Sequence, residues 1–365
     1  MALSRLGDFI ELTEEKNSNL QYGVSDVRGI SIKKIFIPTK ADMDGVPLTS
    51  YKLVKPFEFC YVTITSRNGE KITIALNDSD KTYICSSSYI AFRIKDITRL
   101  LPFYLYMYFN RPEFDRYSRF NSWGSAREAF GWEDMCDIEI DIPPIEVQQK
   151  AVDVYLAMVA NQNAYEKGLD DLKLTCDAYI ENLRKSISLQ TIGDFMVRGT
   201  KNTNESIKEV LGIGQSGFIK PQKQPNDSLK NYKIINKDDI VYAPPLYNIL
   251  SDAIGCYNGD NPVVCSPIYE VFSVKTPLLA RYLLMWLKRS EFKRYAEFHS
   301  GGVRNTFDYE LMENFEIPIP NQNIQKDIVE VYEAYEMRKR INDNLKKQIN
   351  EICPVLIKGS IDLTR

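Results

Sequence analysis

The sequence predicts an α+β chain in which two duplicated α/β domains are separated by two long antiparallel coiled-coil helices. Three observations lead there. The chain resembles itself at a displacement of about 180 residues, each half opens with short β-branched and aromatic segments, and each half ends in apolar residues at alternating spacings of three and four.

At 365 residues the chain exceeds the usual size of one core, so two globular units are expected. With 44% hydrophobic and 26% charged residues it has the composition of a folded chain, not a disordered one. Residues 1–10 carry only Arg5 before an acidic stretch and lack the apolar core of a signal peptide. The apolar stretches 100–109 and 278–287 contain Pro102 or Arg281 and fall short of a membrane span. A soluble cytoplasmic protein with no membrane partner is the expectation. Seven cysteines form no Cys-x-x-Cys pair, and the single histidine, His299, leaves no zinc-binding set, so reduced thiols and no metal or cofactor are expected. A net charge of −3 argues against a non-specific nucleic-acid packager, although 46 Lys and Arg residues can still cluster on one face.

The repeat is clearest where residue 127 is placed on residue 304. Arg127 meets Arg304, Phe130 meets Phe307, Met135 meets Met312, Pro143 meets Pro320 and Gln148 meets Gln325. Residues 127–158 and 304–335 share 13 of 32 positions, against roughly two for unrelated sequences, which marks a duplication. Earlier landmarks need larger offsets: Glu113–Tyr117 matches Glu291–Tyr295, Cys85-Ser86 matches Cys265-Ser266, and Gly7-Asp8-Phe9 matches Gly193-Asp194-Phe195. Between landmarks, segments such as 33–82 and 218–262 barely resemble each other. A shared framework with divergent inserts suits one job done twice on different targets, and unselected loop drift would leave the same pattern.

Within each half, strand-like segments come first: 61–65 and 72–75, then 234–235 and 240–242. A short amphipathic helix follows at 101–108 or 278–288, then a Gly-rich turn at Trp123-Gly124-Ser125 or Gly301-Gly302, and an Ile-x-Ile-Pro strand closes the domain.

After the closing prolines the period changes. Val147, Val154, Met158, Leu172, Tyr179 and Leu183 mark the seam of one predicted helix, from about 146 to 186, with Asn161 as a polar position near its centre. Ile324, Ile328, Val331, Tyr335, Leu345, Ile349, Ile352 and Leu356 mark the second, with Arg338 and Asn342 as polar positions that set register. A helix of about 40 residues is roughly 60 Å long, close to 18 base pairs of B-form DNA. Periodicity alone fits a spacer between two DNA half-sites and a plain dimerisation coil equally well.

A Gly-Asp-Phe opening, a Gly-rich turn followed by Arg, Ile-x-Ile-Pro, then Gln and a long helix occur twice, in that order. The combination resembles the specificity subunit of type I restriction-modification systems over about residues 5–358. The resemblance implies target-recognition domains at 1–144 and 189–320, conserved helices at 145–188 and 321–358, and a tail at 359–365. It further implies double-stranded DNA with a bipartite sequence as ligand and two methyltransferase subunits as partners. Motor-nuclease subunits join where cleavage accompanies methylation. On this reading the chain is a non-catalytic reader of DNA in phage defence. Two alternatives stay open: a coiled-coil scaffold with two protein-binding domains, and the recognition subunit of a type II-like or other phage-defence methyltransferase.

Catalytic patterns do not hold up. Gly212–Gly217 satisfies G-x-G-x-x-G, but Pro221 leaves no room for the helix whose N-terminus would hold a phosphate, so a turn is expected. The Pro-Pro pairs at 143–144 and 244–245 lack the preceding Asn or Asp of an amino-methyltransferase. Asp8 with Glu14-Glu15-Lys16 reads as a solvated charge run.

Base reading requires Arg, Lys, Asn or Gln at base edges, with basic and hydroxyl groups at phosphates. The best candidates are Arg127 and Arg304 on the equivalent turns, with Ser125, His299 and Asn305 beside them; a structural ion pair bracing the turn is the competing role for the arginines. In the divergent inserts the candidates are Lys33, Lys34, Arg67, Asn68 and Lys71, then Lys220, Gln222, Lys223, Gln224 and Tyr247.

Overall fold

The computed structural model describes residues 3–64, 71–124, 127–221, 228–301 and 305–364. In the first half the order is β1 (Ser4–Arg5), β2 (Ile10–Leu12), β3 (Arg28–Ile30), β4 (Phe36–Pro38), β5 (Lys52–Val54), β6 (Phe59–Tyr61), β7 (Ile74–Leu76), β8 (Tyr83–Cys85), β9 (Ile90–Ile94), α1 (Pro102–Phe109), α2 (Pro112–Phe120), α3 (Trp132–Cys136) and β10 (Glu139–Ile140). The long helix α4 (Ile145–Ser186) follows. The second half runs β11 (Leu189–Thr191), β12 (Met196–Arg198), β13 (Gly212–Gly214), β14 (Gly217–Ile219), β15 (Lys233–Ile235), β16 (Ile240–Tyr242), α5 (Leu246–Leu250), β17 (Ile254–Cys256), β18 (Val263–Cys265), β19 (Glu270–Val274), α6 (Ala280–Leu287), α7 (Ser290–His299), α8 (Tyr309–Glu313), β20 (Glu316–Pro318) and α9 (Gln322–Asp362).

Strand pairing repeats element for element. A four-stranded antiparallel sheet, β2-β9-β6-β7, has its counterpart in β12-β19-β16-β17. β5 pairs with β8 as β15 does with β18, and the hairpin β3-β4 matches β13-β14. The strand that opens each half pairs with the one that closes it, β1 with β10 and β11 with β20. The central strands are wholly apolar because both of their faces are covered. Phe59 and Tyr61 enter the main core with α1 while Cys60 enters a smaller one with Val54, Cys85 and Ala91. Ile240 and Tyr242 divide from Val241 in the same way.

The repeated residues have repeated jobs. Gln148 is fully buried; its Nε2 donates to the carbonyls of Arg99 (2.9 Å) and Pro143 (2.8 Å), and its Oε1 accepts from the Leu101 amide (3.0 Å). Gln325, equally buried, donates to Pro277 (2.9 Å) and Pro320 (2.8 Å) and accepts from Leu279 (2.9 Å). Each glutamine thus ties the start of a long helix to the chain entering α1 or α6, which are otherwise unpaired backbone groups. The Gly-Asp-Phe opening has an equally local reason. A Cβ on Gly7 would stand 2.8 Å from Cys136 Cβ, and one on Gly193 2.8 Å from the Glu313 carbonyl oxygen, so only glycine permits the approach. One pair escaped the sequence comparison: buried Asn17 and Asn202 each close a loop, to Tyr22 (2.9 and 3.1 Å) and to Ile207 (2.9 and 3.4 Å).

The chain divides into two compact units, 1–165 with 341–365, and 166–340. Each unit therefore holds half of each long helix. In the first, Ala151, Val152 and Tyr155 of α4 share a core with Cys353 and Ile357 of α9, and the Tyr104 and Ser360 hydroxyls are 2.7 Å apart. Gln162 Nε2 donates to Asn342 Oδ1 at 2.9 Å, so the two segments run antiparallel. In the second unit Gly168 lies beneath the Arg338 guanidinium, and Ile180 and Leu183 join Ile328 and Val329 in one core, again antiparallel.

Several seam positions need correction. Val154 and Tyr179 are exposed, and the inward residues are Val152, Tyr155 and Ile180. Each half-helix packs on a domain as well as on its partner, which widens and rotates the buried stripe beyond a simple seam. For the same reason the buried polar residue of α4 is Gln162, not Asn161. Leu183 and Ile328 are buried, while Val147, Met158, Leu172, Ile324, Val331, Tyr335, Leu345, Ile349, Ile352 and Leu356 are partly buried. Asn342 is buried as expected, and Arg338 is exposed. α9 continues through Pro354 to Asp362, so most of the expected tail is helix.

Candidate nucleic-acid interface

In each unit the turn after the second short helix meets the connection that leaves the central strand. In the first, Trp123 and Ala129 exchange backbone hydrogen bonds (3.1 and 2.9 Å), closing the ends of a turn on whose returning side Arg127 is exposed. Gly124 sits at φ +140°, where a side chain would press on the Arg127 carbonyl, and this explains the glycine. Ala129 bridges Ile64, and the Phe130 amide donates to Thr63 at 2.8 Å, so the β6–β7 connection runs beside the turn. Arg119 of α2 pairs with Glu128 across the base of the turn. An ion pair of this kind is the competing role weighed for Arg127, and here Arg119 makes one.

The second unit repeats the junction. Gly301 bridges Thr306, Thr306 bridges Pro245, and the Phe307 amide donates to Pro244 at 2.8 Å. The Leu246 amide donates to the Asn305 carbonyl at 3.0 Å, bringing exposed Asn305 beside the first turn of α5, which carries Tyr247 at 71% exposure. Exposed His299, on the last turn of α7, packs its ring 4.2 Å from that of Tyr295. Three of the predicted residues are thus gathered at one junction.

Lys34 is a correction. It is 4% exposed, donates to the Phe109 carbonyl and pairs with Asp115 at 2.7 Å, so it cannot reach a phosphate. Burial pulls its ammonium below the usual lysine range, with Asp115 opposing the shift and Lys71 adding to it. The same Asp115 oxygen accepts from the Ile72 amide at 3.3 Å. Lys34 and Ile72 are both held there, and their chain neighbours Lys33 and Lys71 are exposed. The lysine that anchors and the lysine that is presented are adjacent in the chain.

Lys220 is exposed at the end of β14, and among the described residues no hydrogen bond or ion pair links it to Gly301, Asn305 or Thr306. Arg67, Asn68, Ser125, Gln222, Lys223, Gln224 and Arg304 lie outside the described residues. The Gly212–Gly217 run is a hairpin in which Gly214 pairs with Gly217 around Gln215-Ser216, not a strand-to-helix phosphate loop. Sequence reasoning passed over Phe120 and Phe298, which stand at one repeat position and are 79% and 84% exposed. The signal was present: helical spacing in 112–120 turns Phe114 and Ser118 inward and leaves Phe120 outside.

Among the described residues no group of His, Cys, Asp or Glu could hold a metal ion, and no helix is long and apolar enough to cross a membrane. No curated protein matches the chain. Among solved structures it is similar to the S subunit of a type I restriction-modification system from M. genitalium, at 12% identity and a TM-score of 0.61, covering 99% of this chain and 94% of that one. It also matches a structure describing complex assembly and conformational transition of the type I R-M system (14% identity, TM-score 0.44, 99% and 97% covered). A third match is the HsdS subunit from Thermoanaerobacter tengcongensis (14% identity, TM-score 0.39, 99% and 96% covered). The first of these shares the fold. The family model for the type I restriction modification DNA specificity domain matches residues 2–173 and 215–351, one stretch beginning in each half of the duplication. The chain belongs to the type I restriction-modification DNA specificity family.

Proposed function

We propose that the chain reads a bipartite sequence in double-stranded DNA, one half-site per unit, as the non-catalytic specificity subunit of a methyltransferase. The observation that carries this is the repeated junction of turn and central-strand connection: its framework is the same in both units, the sequence keeps one arginine at each turn, and the polar residues around that arginine differ. A duplicated scaffold with different polar groups at one edge is what reading two different base sequences requires. Arg127 and Arg304 are assigned to base edges, with Ser125, His299 and Asn305 beside them. Lys33, Arg67, Asn68 and Lys71 in the first unit, and Lys220, Gln222, Lys223, Gln224 and Tyr247 in the second, contact phosphates and flanking bases.

The long helices set the gap between half-sites and dock two methyltransferase subunits, which bring the methyl donor and the chemistry. Motor-nuclease subunits complete the assembly where cleavage accompanies methylation, all in the cytoplasm. The test is co-expression with the native partners and mapping of methylated positions across a genome. A two-part motif with a constant gap supports the reading; purified complex without sequence preference on random duplexes would favour a protein-binding scaffold. Arg127→Ala should weaken binding by roughly tenfold or more at the first half-site, and unchanged mobility shifts for both Arg127→Ala and Arg304→Ala would remove those assignments.

A further inference from the structure

The ends of α2 and α7 carry a second repeated feature that neither the core nor the turn explains. Phe120 and Phe298 occupy the same position in their helices and are the most exposed phenylalanines in their units. Four residues earlier, on the same helical face, stand Arg116 and Arg294, both exposed. Among the described residues Arg116 is tied only by an exposed i,i+3 pair with Glu113 at 3.1 Å, a contact weak enough to exchange for a phosphate. A lone exposed apolar side chain needs no explanation. An Arg–Phe pair at the same outward position in both copies does, because the exposed residue just before the phenylalanine has changed from Arg119 to Glu297 while the pair is kept.

The surroundings favour nucleic acid over protein. Phe120 is three residues from exposed Trp123, where the turn bearing Arg127 begins, and Phe298 packs edge-on against His299 at 5.0 Å, beside the turn bearing Asn305. Exposed aromatics interleaved with guanidinium and amide groups match the chemistry of phosphates and base faces. Arginine and aromatic residues also serve protein interfaces, so nucleic acid is favoured by the position of the pair beside the turn assigned to base reading.

We propose that each unit makes a second contact with duplex DNA through this pair: Phe120 or Phe298 wedges against a base step while Arg116 or Arg294 holds the adjoining phosphate. The proposal rests on the reading of the chain as a duplex reader and adds to it a site that deforms the DNA it reads. Reading by deformation acts at steps the polar side chains do not touch, so it extends the recognised sequence beyond them.

The experiment uses the full chain and a duplex recovered by selection from a random library, with 2-aminopurine placed at successive steps of each half-site. The parent protein should raise emission at one step per half, where stacking is broken. Phe120→Ala should abolish that rise in one half only and Phe298→Ala in the other, each weakening binding by roughly tenfold; Phe→Trp should preserve both signals. Arg116→Ala and Arg294→Ala should instead lower the slope of log affinity against log salt by about one, and thermal midpoints should not move for any of them. If both Phe→Ala variants bind and report like the parent while Arg127→Ala binds poorly, the wedge is overturned and DNA reading stands. Variants that keep the duplex signal but no longer co-purify with the methyltransferase subunits assign the pair to a protein interface, which also overturns it. A parent chain that selects no duplex overturns the functional reading itself, and the wedge with it.

Discussion

At the same position of the second short helix, the two units carry opposite charges. Asp115 in α2 holds Lys34 at 2.7 Å and the Ile72 amide at 3.3 Å; its counterpart Lys293 in α7 holds Asp252 at 2.8 Å. Both pin the connection that leaves the central strand, and they do it with reversed signs. The two units keep the mechanical task, a fixed connection beside the turn, while the residues that perform it have been exchanged as a set. Identity therefore survives where a side chain answers to the backbone, as at Gln148 and Gln325, and is lost where it answers to another side chain.

The largest expected effect breaks this symmetry. Lys34→Ala leaves Asp115 largely buried without its cation and should destabilise the first unit by about 3–5 kcal/mol. Lys293→Ala removes a half-exposed pair and should cost the second unit about 1 kcal/mol or less. Hydrogen exchange of the Phe59–Tyr61 and Ile240–Tyr242 amides reports each unit separately. Equal losses would mean that the two anchors are energetically alike despite their burial. Lys33→Ala, one residue away, should stay within about 0.5 kcal/mol of the parent in the same measurement.

The next test should restore the symmetry. Gln148→Ala orphans three backbone groups, and Gln325→Ala orphans the equivalent three. Each should lose about 3 kcal/mol in its own unit, given the penalty for unsatisfied buried polar groups. A difference of more than about 1 kcal/mol between them would show that the shared geometry hides unequal burial.

What the sequence showed and what it hid follow the same division. The paired glutamines, the Gly-Asp-Phe openings and the closing Ile-x-Ile-Pro strands were legible because backbone geometry constrains them to one residue type. Lys34 was not, since Lys33 and Lys34 look alike until Asp115, distant in the chain, is brought against one of them. The helix seams were half legible. Spacing located both helices within a few residues, but Val154 and Val152 both satisfy an apolar pattern, and only the domain packed alongside decides which turns inward. The places of the turns were legible, because the repeat marks the ends that the Trp123–Ala129 and Gly301–Thr306 bridges join. Phe120 and Phe298 carried the same mark and were passed over, because an aromatic residue at the end of a helix is ordinarily assigned to the core.

A smaller effect comes from the glycines. Gly7→Ala and Gly193→Ala each force a methyl group to within 2.8 Å of the closing segment of its own unit. Overpacking of this kind costs about 1–3 kcal/mol. The second should be the worse of the two, because its neighbour is a backbone carbonyl that cannot rotate away, whereas the first meets a side-chain carbon. A urea midpoint lowered by Gly7→Ala and untouched by Gly193→Ala would count against the equivalence of the two openings.

The smallest effect concerns the polar pair where α4 and α9 meet inside the first unit. Gln162 and Asn342 are both buried and bonded at 2.9 Å. Replacing Gln162 by leucine strands the Asn342 amide and should cost about 1–3 kcal/mol. Replacing both removes the unpaired group as well as the bond, so the double variant should return to within about 1 kcal/mol of the parent, or exceed it. The pair then contributes little net stability, and its value lies in alignment: among leucines the two segments have no preferred register, whereas an amide pair is satisfied at only one. Spin labels placed in the first unit on exposed Asp153 and Lys358 should give one narrow distance in the parent and a broadened or shifted one in the double-leucine variant. Equal distributions in both would leave the pair without a role in register.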